Sequence, residues 1–285
     1  MSFFLFDWLF SLLRNRRQSN PPVVTEDLKF EAAFIEEVSQ WDNPSLVATS
    51  HAVEVEQLLN QKTDFHKDSL FNFVNEHGLR SGLKRKLQDF RAKIVVIKAM
   101  IDLPCDTPLS TKIKEVEEEG WFSEKDRREM TDQVRTDLSA ITKNRSHEGD
   151  LVDLHVCLLI LRQLGEPVQD FREPIYNYIV ACYRKAYQPS YNRESSLASF
   201  ALAPNSPDIC LTACIFAARL AATLEIGKEL NSYFEKIESF VLACWSKEEC
   251  AFSTLPKARP NLIHTHAILN LDPARKVNEH KWYVP

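Results

Sequence analysis

The residues with the most chemistry in this 285-residue chain are its seven cysteines and eight histidines, and spacing alone assigns them no reaction. Cys105, Cys157, Cys182, Cys210, Cys214, Cys244 and Cys250 are odd in number and mostly sit inside apolar runs. That is the pattern of reduced cytosolic thiols, not of a disulfide framework. No Ser/His/Asp or Cys/His set is readable as a nucleophile with its base. A phosphate cradle is excluded more firmly, because it needs clustered glycines that let the backbone approach the phosphates. Average usage gives about 20 glycines in this length. This chain has 6, at positions 78, 82, 120, 149, 165 and 227, and no subset is clustered. Glycine-rich turns of sandwiches and barrels are missing for the same reason.

The elements that must position these residues are helical. Five apolar segments recur, at 46–59, 90–103, 151–164, 209–224 and 262–271, with starts about 45 to 60 residues apart, within the range of a repeat array. Amphipathic segments follow most of them, at 67–74, 109–116, 171–183 and 230–245. Ile175, Tyr178, Ile179 and Cys182 stand at i, i+3, i+4 and i+7, as do Ile237, Phe240, Val241 and Cys244. Segments apolar nearly all round belong to an inner wall, and segments with a charged stripe to an outer one. The second segments end in related wording, Gly120-Trp121-Phe122 and Glu249-Cys250-Ala251-Phe252. Strand-like alternation is absent, so the fold class expected is all-α, an array of inner and outer helices closing as a solenoid or toroid. A charged stretch at 124–148 breaks the period. Met130, Val134, Leu138 and Ile141 lie at helical spacing in it, which predicts an extra exposed helix, either a solvated insertion or a cap over a cavity.

Residues 3–13 (FFLFDWLFSLL) precede Arg14, Arg16 and Arg17. The charges follow the apolar stretch, which is not the order of a secretory signal. Eleven residues also fall short of the roughly 20 that span a bilayer. Residues 1–18 therefore read as an amphipathic helix with two open uses: lying in a membrane interface with arginines on lipid phosphates, or capping an apolar groove of this chain or a partner. Residues 19–43 read as a linker and a first helix, and 44–285 as the helical-array domain. The formal net charge of −5, with no basic run beyond those arginines, speaks against nucleic acid as a partner. A cytoplasmic protein with peripheral membrane contact is the expectation.

The stretch from 207 to 224, PDICLTACIFAARLAATL, then ECAFSTLPKARPNLIHTHAILNL at 249–271, resembles the repeat of the terpene cyclase and protein prenyltransferase β-subunit superfamily. Asp208 and Thr212 match the Asp and Thr that open an inner helix there, and the Phe252 loop matches a Gly-Gly-Phe-type loop. The resemblance is best over 150–272 and fades to bare periodicity towards residue 44. It implies an α/α toroid of about five helix pairs that handles an isoprenoid or terpenoid substrate in a central cavity.

The resemblance also implies site residues. Asp208, Cys210 and His264 match zinc ligands of the prenyltransferases, and Thr265 follows the histidine as in that family. One carboxylate, one thiolate and one imidazole leave zinc's fourth position for a substrate thiol held deprotonated. His147 matches a diphosphate-contacting histidine. The family's Arg and Lys for the diphosphate are Leu202 and Asn205 here, and acidic positions near the metal are Thr254 and Asn261, with Lys257 and Arg259 close by. In the cyclase branch the proton-donating Asp pair is replaced by Cys210 and Leu211, leaving that chemistry without an acid. Trp121 and Phe200 are candidates to line a prenyl pocket, since aromatic faces accommodate prenyl chains. Read without the family, Asp208 is a helix N-cap, Cys210 a small core residue, His264 a hydrogen-bonded wall residue, and the aromatics are core. His51, His155 and Cys157, on other inner segments, have the same two readings. A catalytically silent toroid that binds a lipid or a protein partner stands beside the enzyme reading.

Overall fold

The computed structural model describes residues 82–104, 107–144, 149–187, 197–249 and 251–260. The expected helices at 1–18, 46–59, 67–74 and 262–271 lie outside the described residues. Of the described part, 66% is helical, so the mainly helical expectation holds. Among the described residues seven α-helices run in order: α1 Leu83–Met100, α2 Ile113–Glu118, α3 Glu124–Asn144, α4 Leu151–Gln163, α5 Arg172–Cys182, α6 Leu211–Thr223 and α7 Gly227–Ala243. Short 3-10 turns at Leu109–Lys112 and Gln169–Phe171 lead into α2 and α5. No described helix is long and apolar enough to cross a membrane.

The expectation of no strands is corrected. Two small antiparallel hairpins follow α5 and α7: β1 Tyr183–Tyr187 with β2 Leu197–Phe200, and β3 Trp245–Ser246 with β4 Ala251–Phe252. They sit where the sequence shows only short loops. Two-residue strands are too brief to display an alternation of side chains.

The chain forms two compact units. One gathers Thr142–His155 and the described chain from Gln169 onward; the other gathers the described chain up to Ile141 together with Val156–Val168. In the first, α5, α6 and α7 pack with the hairpins around Ile175, Tyr178, Ile179, Leu220, Phe234, Ile237 and Phe240, all buried. The i, i+3, i+4, i+7 apolar sets read from sequence are the faces that α5 and α7 bury, apart from Val241, which is half-buried. In the second unit, α3 differs from the exposed helix expected. Met130, Val134, Leu138 and Ile141 are all buried, so its charged residues cover one face of a helix whose other face is core.

Helix ends explain the boundaries. Ser123 and Asp126 form a capping box that starts α3: Ser123 Oγ accepts the Asp126 N–H at 3.1 Å, and Asp126 Oδ2 accepts the Ser123 N–H at 3.0 Å. Asp150 and Asp153 do the same for α4. Asp150 Oδ1 takes the N–H groups of Val152 and Asp153 at 2.8 and 3.1 Å, and Asp153 Oδ2 takes the Asp150 N–H at 3.0 Å. Four helices finish in one motif, a left-handed residue whose successor donates back to the helix. The donors Leu103, Trp121, Glu166 and Ile226 reach the carbonyls of Lys98, Val116, Leu161 and Ala221 at 2.8, 3.1, 2.9 and 2.9 Å. The left-handed residues are Asp102, Gly120, Gly165 and Glu225. Only two of these are glycine, so the scarcity of glycine in the chain extends to positions that favour it.

Gly165 is constrained twice. Its φ is 78°, and a Cβ placed on it would lie 2.8 Å from Ser110 Cβ. Gly120 has φ 73° but open space around it. Gly165→Ala is expected to destabilise the fold by about 2–4 kcal/mol, and Gly120→Ala by about 1 kcal/mol, because only the first adds a clash to the left-handed penalty. Glu225→Gly, at φ 57° on an exposed turn, is expected to gain about 1 kcal/mol. Urea unfolding midpoints of the three variants check the order.

Candidate functional site

The segment before α6 carries the candidate ligands, and it is built twice over in the first unit. Phe200 pairs with Tyr183 across the first hairpin, and Phe252 with Trp245 across the second. The next residue in each case, Ala201 or Ser253, donates its N–H to the last turn of the preceding helix, Cys182 O or Cys244 O, at 2.9 Å both times. Ala201 then bridges to Ile209, and Ser253 to Pro260. One residue further on, the carbonyl of Leu202 accepts the Leu151 N–H at the start of α4, and the carbonyl of Thr254 accepts the Leu211 N–H at the start of α6, each at 2.9 Å. Each closing loop therefore ties itself to the first N–H of a helix that begins some forty to fifty residues earlier in the chain, at Leu151 for Leu202 and at Leu211 for Thr254.

This register corrects the expected N-cap. Asp208 does not open the helix. The first helical residue is Leu211, and the N-cap is Cys210, extended at φ −157° and ψ 158° with no side-chain capping bond. Asp208 is exposed, its N–H on Ser206 Oγ at 3.3 Å. Ile209 between them is buried through its bridge to Ala201. Side chains alternate along extended backbone, so Asp208 and Cys210 project to the side opposite Ile209. The equivalent N-cap of α4 is Asp150, whose carboxylate does the capping that the Cys210 thiol does not.

Cys210 is half-buried and is the least enclosed of the described cysteines. Burial pushes its thiol pKa up, against the downward pull of the nearby Ala213 and Thr212 groups. Burial pushes Cys182 and Cys214 up to about 12 and raises Cys244 as well. Cys214 Sγ lies 3.1 Å from Ser199 Oγ and 3.6 Å from the Cys210 carbonyl. These thiols are neutral at physiological pH, so none is a ready nucleophile without a cation or metal beside it.

Arg184 is the residue that sequence reasoning passed over. Its guanidinium donates to the carbonyls of Ala181 at 2.8 Å, Tyr183 at 3.1 Å, Ala203 at 3.4 Å and Ser206 at 3.0 Å, and also to Pro204. One fork thus holds the loop from which Asp208 and Cys210 emerge. Its sequence context, Tyr183-Arg184-Lys185, has no feature that announces this. The Asp150–Asp153 box, by contrast, was open to reading as an acid three residues after a cap and ahead of an apolar run.

The other candidates fall in different places. Phe200 is fully buried, its ring edge-on to Tyr183 at 5.8 Å and tilted against Phe234 at 6.0 Å, and its carbonyl takes the Cys210 N–H at 3.2 Å. Its side chain is core, next to the site only through the backbone. Lys257 and Arg259 are exposed, on the same closing loop as Thr254 that ties onto the start of α6. Trp121 is half-buried in the turn after α2. His155 is buried, with its ring 5.4 Å from Phe216, and Cys157 is buried too. His51, His147, His264, Thr265 and Asn261 lie outside the described residues. Among those described, no group of three or more His, Cys, Asp and Glu is gathered to hold a metal. Asp208 and Cys210 fit two positions of a zinc site by residue type and by side.

A cavity of about 170 Å³ in the second unit is lined by Arg91, Ile94, Val95, Lys98, Leu159, Ile160 and Gln163. It compares with a cavity that takes up benzene, and is smaller than the pockets of roughly 300 Å³ or more that enclose most ligands.

The thiols make a measurable prediction. Alkylation of the folded protein at pH 8 is expected to label Cys210 ahead of Cys182, Cys214 and Cys244, which react only after unfolding; peptide mapping reads the order. For Cys182 and Cys214 the folded pKa lies above the unfolded one. The unfolded chain therefore loses those protons first, and stability falls as pH rises past about 8.5, by about 1.4 kcal/mol per unit for each thiol. Urea midpoints from pH 8 to 10.5 check the slope, and Cys214→Ala is expected to remove one thiol's share of it.

No family model matches this chain, and no curated protein matches it.

Proposed function

We propose that the chain is a helical-repeat protein of the α/α toroid type that holds an apolar, prenyl-type ligand in a central cavity, on a scaffold like that of terpene cyclases and protein prenyltransferase β-subunits. The observation that carries this reading is the repeated closure, in which two successive helix pairs end in the same hairpin, bridge and carbonyl-to-helix bond. A unit built that way buries its apolar face by stacking on further copies of itself. The five apolar segments of the chain supply the copies. Asp208 and Cys210, at the mouth of one unit, are the proposed zinc ligands together with His264; zinc in such a set supplies a Lewis acid and an open position for a thiol. His147, Lys257, Arg259 and Trp121 are proposed to face the ligand. The 3–13 segment is proposed to touch a membrane surface on the cytoplasmic side.

A second reading, a catalytically silent toroid that binds a lipid or a protein partner, is favoured by the state of the mouth. Leu202 and Asn205 offer a leaving diphosphate no charge, and removing such contacts costs several kcal/mol of transition-state stabilisation. The Cys210 thiol, meanwhile, is held neutral by burial.

Metal analysis and ligand retention separate the two. About one equivalent of zinc, lost in both Cys210→Ala and His264→Ala with the fold intact by circular dichroism, is the outcome expected of a transferase-like site. A metal-free protein that retains farnesol through gel filtration is the outcome expected of the silent toroid. A folded protein that takes up neither zinc nor farnesol overturns the proposal.

A further inference from the structure

Helix α3 carries a polar stripe that its role in the core does not use. Arg127, Thr131 and Arg135 are spaced i, i+4 and i+8, so they lie along one face. Both arginines turn to the same carboxylate, that of Glu166 in the turn after α4. Arg127 Nη1 is 3.8 Å from Glu166 Oε1, and Arg135 Nη2 is 3.3 Å from Glu166 Oε2. Arg135 Nη2 is also 3.4 Å from the Pro167 carbonyl. Two guanidinium charges thus meet one carboxylate, and the first contact is longer than a hydrogen bond. All of these residues belong to the second unit.

Between the arginines are two donors with nothing to bond. Thr131 is buried, at 7% exposure, and its Oγ1 has no hydrogen-bond partner. A threonine inside a helix has an easy remedy, the carbonyl four residues back. Thr136 uses it, bonding the Asp132 carbonyl at 2.8 Å, and Thr131 does not. Arg127 Nε is buried and without a hydrogen-bond partner as well. Leaving a buried donor unmet is costly, and most such groups in folded proteins are satisfied. Thr131 stands one turn from each of the two arginines that share Glu166. A hydroxyl, an Nε and two guanidinium groups carried on one face of the helix make a donor set for an anion with more oxygens than a carboxylate has.

We propose that the Arg127–Thr131–Arg135 face of α3 binds a tetrahedral oxyanion of the phosphate class, and that Glu166 holds the place in its absence. A phosphate oxygen takes the Thr131 hydroxyl and the Arg127 Nε–H, other oxygens take the guanidinium edges, and the Glu166 carboxylate is displaced toward solvent. Free phosphate and the phosphate of an organic monoester share this chemistry. The inference is independent of the prenyl-ligand reading, since it uses neither the mouth of the repeat nor any zinc ligand.

The test is calorimetric titration of the full chain with inorganic phosphate, with phenyl phosphate, and with acetate at matched ionic strength. Saturable phosphate binding with no acetate binding is expected, and tighter binding of phenyl phosphate identifies a monoester as the preferred source. Glu166→Gln removes the competing carboxylate and is expected to bind phosphate roughly ten-fold tighter. Arg127→Gln is expected to weaken binding by roughly ten-fold or more, the usual range for a lost charged hydrogen bond. Thr131→Val keeps the shape of the side chain, so it guards against loss of fold. It is expected to raise the melting temperature without phosphate and to bind phosphate several-fold more weakly. Wild type and Glu166→Gln that both fold and both fail to bind phosphate overturn the proposal, as does Thr131→Val that binds as wild type does.

Discussion

The first turn of an α-helix has backbone N–H groups with no partner inside the helix, and at α4 and α6 the first of them is met from far away in the chain. The N–H of Leu151 is met by Leu202, and that of Leu211 by Thr254. Each bond closes a loop of some forty to fifty residues, so it stands only because the helix, hairpin and bridge between its ends are already fixed. Closure entropy grows slowly with loop length, and a single bond worth about 1 kcal/mol does not offset it alone. Burial does the rest: Cys182, Phe200, Cys244 and Phe252 are all enclosed beneath the closing loops. The bond then acts less as a source of stability than as a register mark, setting which loop residue sits over which helix start.

That register decides what the start of each helix can offer. The same position is Asp150 at α4 and Cys210 at α6. In the first, the carboxylate is consumed by the helix it begins, with Asp153 answering it. In the second, the cap is a thiol with no capping bond, and the helix start leans on Phe200 and Thr254 carbonyls instead. The Cys210 thiol lies beside the Thr212 and Ala213 groups of the first turn, and Asp208 projects to the same side.

Much of the fold was legible in the sequence. The apolar sets at 175–182 and 237–244 mark the buried faces of α5 and α7, and the edges of α4 and α6 fall within two residues of the expected runs. The legible part is what periodicity and burial control. The hairpins were not legible, because strands of two to five residues between helices are stabilised by the aromatic pairs Tyr183–Phe200 and Trp245–Phe252, which read as core in a linear scan. The helix start at Leu211 was also misplaced. Pro207-Asp208 is a fair N-cap signal on local grounds, and it is overridden by the bridge of Ile209 to Ala201, which holds the segment extended through Cys210. Arg184 was invisible for the same reason: three of its carbonyl partners, Ala203, Pro204 and Ser206, belong to a loop some twenty residues away.

The same contrast between local and distant partners separates the two faces of α3. Along Met130, Val134, Leu138 and Ile141 the helix is specified by burial, which is non-directional and tolerates small shifts. Along Arg127, Thr131 and Arg135 it is specified by directional groups that have to be matched atom by atom. On the first face the matching is complete. On the second, Glu166 engages both arginines and leaves a hydroxyl and an Nε unmet. A stripe whose only task was to hold the helix against the turn at Glu166 is served as well by valine at 131, which buries the same volume without a polar atom. A hydroxyl kept there without the back-bond that Thr136 makes is a specific feature, and it is the feature on which the proposed oxyanion site rests.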